Sequence, residues 1–372
     1  MKLVNTLQQH LGQPEVAPSS YVRWRHIELA SSISGRYKIY LDTRYWIMFR
    51  DVVIGRRTDE SLVALLDRIR NAVESDRAIC PISQDSFAEI FMQSDPDTLS
   101  ATIRLVDQLS GSVCLSDIFT RMDAELWHFL ARHKRGNDAA LDRYQLIWTK
   151  CGYVLGYVAP QYKSFAREQS DAIEKAFFDQ MWNASFADIF QYLGCRPEWK
   201  PIPDSADKYN QGKFANANAF SSFKQLFMIE LAGILDFLKD SLSEIMFQIC
   251  LSEAGAGADP NAKPDPAIGE AAANLIYNIY NLDKMEEQLP TLSTYVTLHA
   301  AFRWQKNRRY KANDLADLRH AVMALPYCDM FLTEKPLCHL IHERHHGLAE
   351  RFLCKTYAEP DLAIASLIEA NV

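Results

Sequence analysis

The side chains able to do chemistry here are carboxylates, gathered in three places far apart in a 372-residue chain. Asp42 closes the apolar run KIYLD (38–42). Glu89 lies in PISQDSFAEI (81–90), six residues past Ser83. A third stretch, NDLADLRHAVMALPYCDMFLTEK (313–335), carries Asp314, Asp317, Asp329 and Glu334. Hard divalent ions such as Mg2+ or Mn2+ favour a few carboxylates and water over thiolates. Like carboxylates packed together repel one another unless a cation or protons offset the charge. Convergence of these acids would therefore imply a metal ion. Taken singly, each has a plainer use: Asp314 and Asp317 can complement a helix N-terminus, and Asp42 can cap a turn.

The elements that must position these acids follow α/β grammar at both ends of the chain. KIYLD reads as a buried strand, with continuous apolar character. Residues 59–74 carry Leu62, Leu65, Leu66, Ile69 and Val73 at helical spacing. RAICPI (77–82) reads as a second strand, followed by Ser83 as a helix N-cap. A helix over about 96–109 and a short strand in GSVCLS (111–116) complete the first half. From about 120 to 300 helical periodicity dominates (122–134, 139–155, 168–192, 217–253, 268–288). Two loop-like stretches interrupt it, CRPEWKPIPDSADKYNQGKF (195–214) and EAGAGADPNAKPDPAIG (253–269). After a helix at about 291–309, strand and helix alternate again: ANDLADLRHAVMAL a helix, CDMFLT a strand, KPLCHLIHERHH a helix, ERFLCKTY a strand, PDLAIASLIEA a helix. The predicted organisation is a lead-in (1–36), a first half of an α/β core (37–120), an all-helical insertion (121–300) and a second half (301–372). In parallel sheets ligands bind beyond the carboxyl ends of strands, where Asp42 falls.

The net charge of −7 gives no basic footprint of the kind phosphate binders carry, although clustered acids themselves push the total negative. Eight cysteines without a CxxC pair suit reduced thiols. The first residues lack the basic and apolar regions of a secretory signal. The most apolar helical stretch, LFMIELAGILDFL (226–238), carries Glu230 and Asp236, so no membrane span is expected. These features predict a cytoplasmic protein.

In order and spacing the acids resemble those of PIN-domain nucleases, metal-dependent ribonucleases with flap-nuclease relatives. The carriers are IYLD ending in Asp42, PISQDSFAEI with Glu89, and DLRHAVMALPYCDMFLTEK, which opens on Asp317 and runs to Thr333 and Glu334. The resemblance covers about 37–116 and 310–360, roughly a third of the chain. It implies a PIN-like parallel-sheet core in which Asp42, Glu89 and Asp317 are catalytic and bind Mg2+ or Mn2+. Glu334 falls near the family's variable fourth position, with Asp314 and Asp329 as further ligands and Ser83 and Thr333 in support. It also implies an endonuclease that leaves a 5′-phosphate and cuts RNA in preference to DNA. Glu334 followed by Lys335 departs from the more typical Asp or Asn. The alternative reading is a PIN-like scaffold that binds without catalysis, with the helical insertion engaging a protein regulator or a second copy.

Two other segments carry chemistry. RWQKNRRYK (303–311) sets Arg303, Lys306, Arg308, Arg309 and Lys311 among Trp304 and Tyr310, a mixture that suits single-stranded nucleic acid through phosphate contact and base stacking. ARHKRGN (131–137) is a weaker version that reads as a helix terminus with Gly136 beyond it. HERHH (342–346) matches the zinc-protease pattern, with His342 and His346 as ligands and Glu343 as base. Its strongly polar surroundings favour a solvated helix end.

Overall fold

A computed structural model describes residues 3–135, 143–154, 156, 160, 164–199, 206–254, 262–282 and 287–372. The fold is α/β: helices surround a small parallel sheet. Its strands are β1 (Tyr37–Leu41), β2 (Ala78–Ile79), β3 (Val113–Leu115), β4 (Trp148–Lys150), β5 (Met330–Leu332) and β6 (Lys355–Tyr357). Four of them form one sheet in the order β2-β1-β5-β6, every pair parallel. β3 pairs antiparallel with β4 and joins the β2 side through a parallel bridge between Cys114 and Ile82. β1 thus lies between β2, the next strand in sequence, and β5, nearly three hundred residues later. Connections leave the two central strands in opposite directions, and the crevice beyond their carboxyl ends is a switch point of the kind that binds ligands.

The pleat sends alternate residues to opposite faces. Ile39 and Leu41 of β1, with Met330 and Leu332 of β5, enter one apolar core beside Leu65, Leu66, Ile69, Val106 and Leu367. Tyr40 and Phe331 enter the other, beside Leu318 and Val322 of the helix Asp314–Ala324. That second core also takes Leu126, Leu231, Ile276 and Leu298 from the long middle segment. The middle segment is therefore no appended body; its helices complete one face of the sheet.

Several sequence expectations need correction. The insertion is not all-helical: Trp148–Lys150 within the predicted helix 139–155 is β4, and residues 139–142 lie outside the described residues. A short apolar run cannot be assigned by periodicity, and the β-forming Ile147, Trp148 and Thr149 decide it. Within the predicted loop 195–214 a helix runs from Ala206 to Ala215, and 217–253 divides at Leu238 into Phe223–Phe237 and Lys239–Ala254. The lead-in contains helices Leu7–Leu11 and Pro18–Ile33, where Pro18 occupies the first turn. The helix predicted over KPLCHLIHERHH stops at Ile341. Gly136 lies outside the described residues. No described helix is long and apolar enough to cross a membrane.

The middle segment grips the helix Asp314–Ala324 through buried charge. Arg121, in the helix Ile118–Arg135, donates to the carbonyls of Val322 at 3.0 Å and Met323 at 3.2 Å. Those carbonyls belong to the last turn, where no intrahelical partner exists and a cation complements the helix dipole. One turn on, Glu125 accepts the Thr291 N–H on both oxygens at 3.0 Å and the Tyr327 hydroxyl. Thr291 stands in the first turn of Pro290–Trp304, so the same helix caps one neighbour's start and another's end. Arg121 and Glu125 are fully buried. Replacing Arg121 by Met is expected to destabilise the protein by about 3–5 kcal/mol, because Glu125 and two carbonyls lose a buried countercharge or donor. Urea unfolding checks it; an unchanged midpoint would show that the grip contributes nothing.

Candidate metal centre

Asp42 sits immediately past β1, where its own N–H continues the ladder by donating to Leu332 carbonyl at 3.1 Å. It is the N-cap of the helix Thr43–Val53: Oδ1 accepts from Tyr45 N–H at 3.2 Å. Oδ2 accepts from Thr333 Oγ1 at 2.7 Å, since the β1–β5 register sets the residues following both strands side by side. Burial pushes the Asp42 carboxyl above its usual range against the opposing effects of His320, Thr333 and Tyr45, and Glu334 adds to the rise.

Asp317 and Glu334 meet beside it. Asp317 is in the first turn of Asp314–Ala324, and Glu334 immediately precedes Lys335–Ile341 without a side-chain capping bond. Burial, then Glu334, push the Asp317 carboxyl up to about 7, with Asp42 adding and His320 opposing. Glu334 also faces the exposed Arg44 at 3.5 Å.

The residue that sequence reasoning missed is His320. It lies three positions after Asp317, on the same helix face, and is buried. Its Nε2 faces Glu89 Oε2 at 3.3 Å, and its Nδ1 meets the Tyr40 hydroxyl at 2.8 Å. The ring is pushed well above its usual range: burial opposes the charge, but Tyr40, Glu89 and Asp85 outweigh it. Glu89 also accepts from Thr43 Oγ1. Burial would raise the Glu89 carboxyl, yet His320 and Thr43 hold it below the usual range. A second clasp, Arg319 to Asp85 at 2.7 Å, binds the same two helices, Gln84–Phe91 and Asp314–Ala324. The signals were present in sequence as Asp317 and His320 at i, i+3, and as Tyr40 sharing a strand face with Asp42. An uncharged-looking His in an apolar helix did not announce a partner.

The structure thus sets Asp42 and Glu334 past the ends of neighbouring strands, with Glu89 tied to Thr43 and with Asp317 one turn before His320. Other predicted residues fall elsewhere. Asp329 precedes β5 and sits at the opposite end of the sheet from Asp42, accepting the Lys38 N–H at 2.7 Å. Asp314 is taken up by Arg308 at 3.0 Å and the Lys311 N–H at 2.6 Å. Ser83 touches no carboxylate; it bonds Tyr40 at 2.7 Å and caps Ser86 N–H at 3.2 Å. Thr333 does support Asp42.

The basic segment is largely consumed internally. Arg303 pairs with Glu230, Arg308 lies 4.1 Å over the Phe302 ring, Lys306 over Phe220 and Arg309 over Phe214. Tyr310 is buried and stacked on Phe302 at 4.0 Å, so it offers no platform for a base. In HERHH, the three histidines do not share a helix. His346 bonds Leu340 carbonyl through Nε2 at 2.9 Å and accepts the Leu348 N–H on Nδ1 at 3.2 Å. Both ring nitrogens are occupied, which removes it as a ligand in the zinc-protease sense. It also removes it from the cluster Glu343, His345 and His346, whose ligand atoms lie within 4.8 Å of one another.

Among the described residues no three of the acids in the crevice close to that mutual spacing. The donor set nevertheless suits Mg2+ or Mn2+ in being all oxygen. Mg2+ keeps several waters and is commonly held by one or two carboxylates. Asp42, Asp317 and Glu334 would hold such an ion together with water. A cleft of about 310 Å3 opens beside Glu334, lined by Arg44, Arg57 and Lys335 among others. No family model, no curated protein and no solved structure matches the chain.

The raised Asp317 carboxyl links stability to pH. Its folded-state value lies above the unfolded one, so its contribution is present in full below about pH 4 and lost as pH rises towards 7. In chelator, the wild-type chain is expected to lose on the order of 2 kcal/mol across that window. Asp317→Asn should flatten the dependence, and Mn2+ should restore stability at pH 8. Urea midpoints at pH 5 and pH 8 read this out; a pH-independent difference between wild type and variant would contradict it.

Proposed function

We propose that the chain is a metal-dependent endonuclease with a PIN-like core, acting on the phosphodiester backbone of RNA in preference to DNA. The observation that carries this reading is the placement of Asp42 and Glu334 past the carboxyl ends of adjacent parallel strands, where Thr333 bonds Asp42 and where His320, one turn from Asp317, meets Glu89. Asp42, Asp317 and Glu334, with Glu89 beside them, are the residues that would hold Mg2+ or Mn2+. Such an ion, when bound, activates a water and offsets charge on the phosphodiester. Thr333 and Tyr45 orient Asp42. Arg44, Arg57 and Lys335 line the adjoining cleft, each paired with an acid of that lining: Glu334, Asp59 and Glu359 respectively. In-line attack leaving a 5′-phosphate is what the family resemblance implies.

The wide spacing of the acids favours a second reading, a scaffold of the same shape that binds nucleic acid or protein without cutting. Cleavage separates the two. With Mn2+ or Mg2+, the purified chain is expected to cut labelled single-stranded RNA, and Asp42→Asn to lower the rate at least about a hundredfold by removing an oriented charge at the reacting centre. No cleavage of RNA or DNA by the wild type, together with no calorimetric metal binding, would overturn the enzyme reading.

A further inference from the structure

Glu89 is held differently from the other acids, and the difference is geometric. Its Oε2 accepts from Thr43 Oγ1 and faces His320 Nε2 at 3.3 Å. A carboxylate only accepts, so the proton in that contact belongs to Nε2 whatever the charge on the ring. The ring is fixed from behind, because Nδ1 bonds the Tyr40 hydroxyl at 2.8 Å and that hydroxyl is anchored on Ser83 at 2.7 Å. Thr43 directly follows Asp42 and begins the helix that Asp42 caps. Through Thr43, Glu89 ties down the turn that aims Asp42, and its Oε2 is already taken up by the Thr43 hydroxyl and the His320 N–H.

We infer that Glu89 is a positioning residue, and that the centre takes a single divalent ion on Asp42, Asp317 and Glu334. This rests on the metal reading given above. Orientation of a ligand by a neighbouring hydrogen bond is worth roughly 10–100-fold in metal affinity. Glutamine at position 89 keeps a carbonyl oxygen that can accept from both Thr43 and His320, whereas alanine keeps nothing.

Calorimetric titration of the full chain with Mn2+ tests the assignment. The wild type should bind one ion. Glu89→Gln should bind one ion with affinity within about threefold, Glu89→Ala should weaken binding about tenfold or more, and Asp317→Asn should abolish it. Rescue by the conservative substitution is the signature of positioning. Two ions on the wild type, or loss of binding in Glu89→Gln as complete as in Asp317→Asn, would overturn the inference and leave the metal centre standing. No Mn2+ binding by the wild type would overturn both. If Glu89→Gln does not fold, Thr43→Val and Thr43→Ser decide: weakened binding restored by serine supports the tether, and unchanged binding in Thr43→Val refutes it.

Discussion

Gathering carboxylates at a sheet edge is electrostatically unfavourable, and in this protein one buried imidazole makes it tolerable. His320 opposes the burial-driven rise of Asp42 and Asp317 and holds Glu89 in its charged form. It does so from a fixed place, because Tyr40, Ser83 and Ser86 form a hydrogen-bonded chain behind it. A network in which every member is satisfied is strengthened by its surroundings rather than penalised by them. The helices Gln84–Phe91 and Asp314–Ala324 meet where they do because His320 and Arg319 each find an acid across the interface.

That interface is set in turn from outside the sheet. Arg121 holds the end of Asp314–Ala324, and Glu125 holds the start of Pro290–Trp304. The long middle segment therefore does more than cover apolar surface. It fixes the axial position of the helix that carries Asp317 and His320, to the tolerance that buried hydrogen bonds enforce.

What the sequence made legible was local. The continuous apolar run of KIYLD marked a buried strand, Ser83 capped its helix, and Asp42 ended its strand. The misjudged residues failed for reasons of direction and partnership. Asp329 and Thr333 flank a three-residue strand, and that short distance puts them at opposite ends of the sheet. Asp314 and Asp317 share a helix turn, but Arg308 captures the first. The cations and aromatics of 303–311 look free in a linear string, and only folding shows Phe302, Phe220, Phe214 and Glu230 waiting for them. Nothing local distinguishes a ring that will stack inside from one that will stack on a base.

The pairing of β1 with β5 has a consequence in time. Asp42 meets Thr333 across 291 positions of chain, and contacts of such long range form slowly because the intervening loop must first be closed. While the chain is being made from its N-terminus, Asp42 and Glu89 emerge early and wait through the synthesis of the whole middle segment. Until β5 docks, the crevice has one wall, and Asp317 and Glu334 are not yet beside it. The charge cluster is thus assembled last, after most of the apolar core that must contain its repulsion is available to fold.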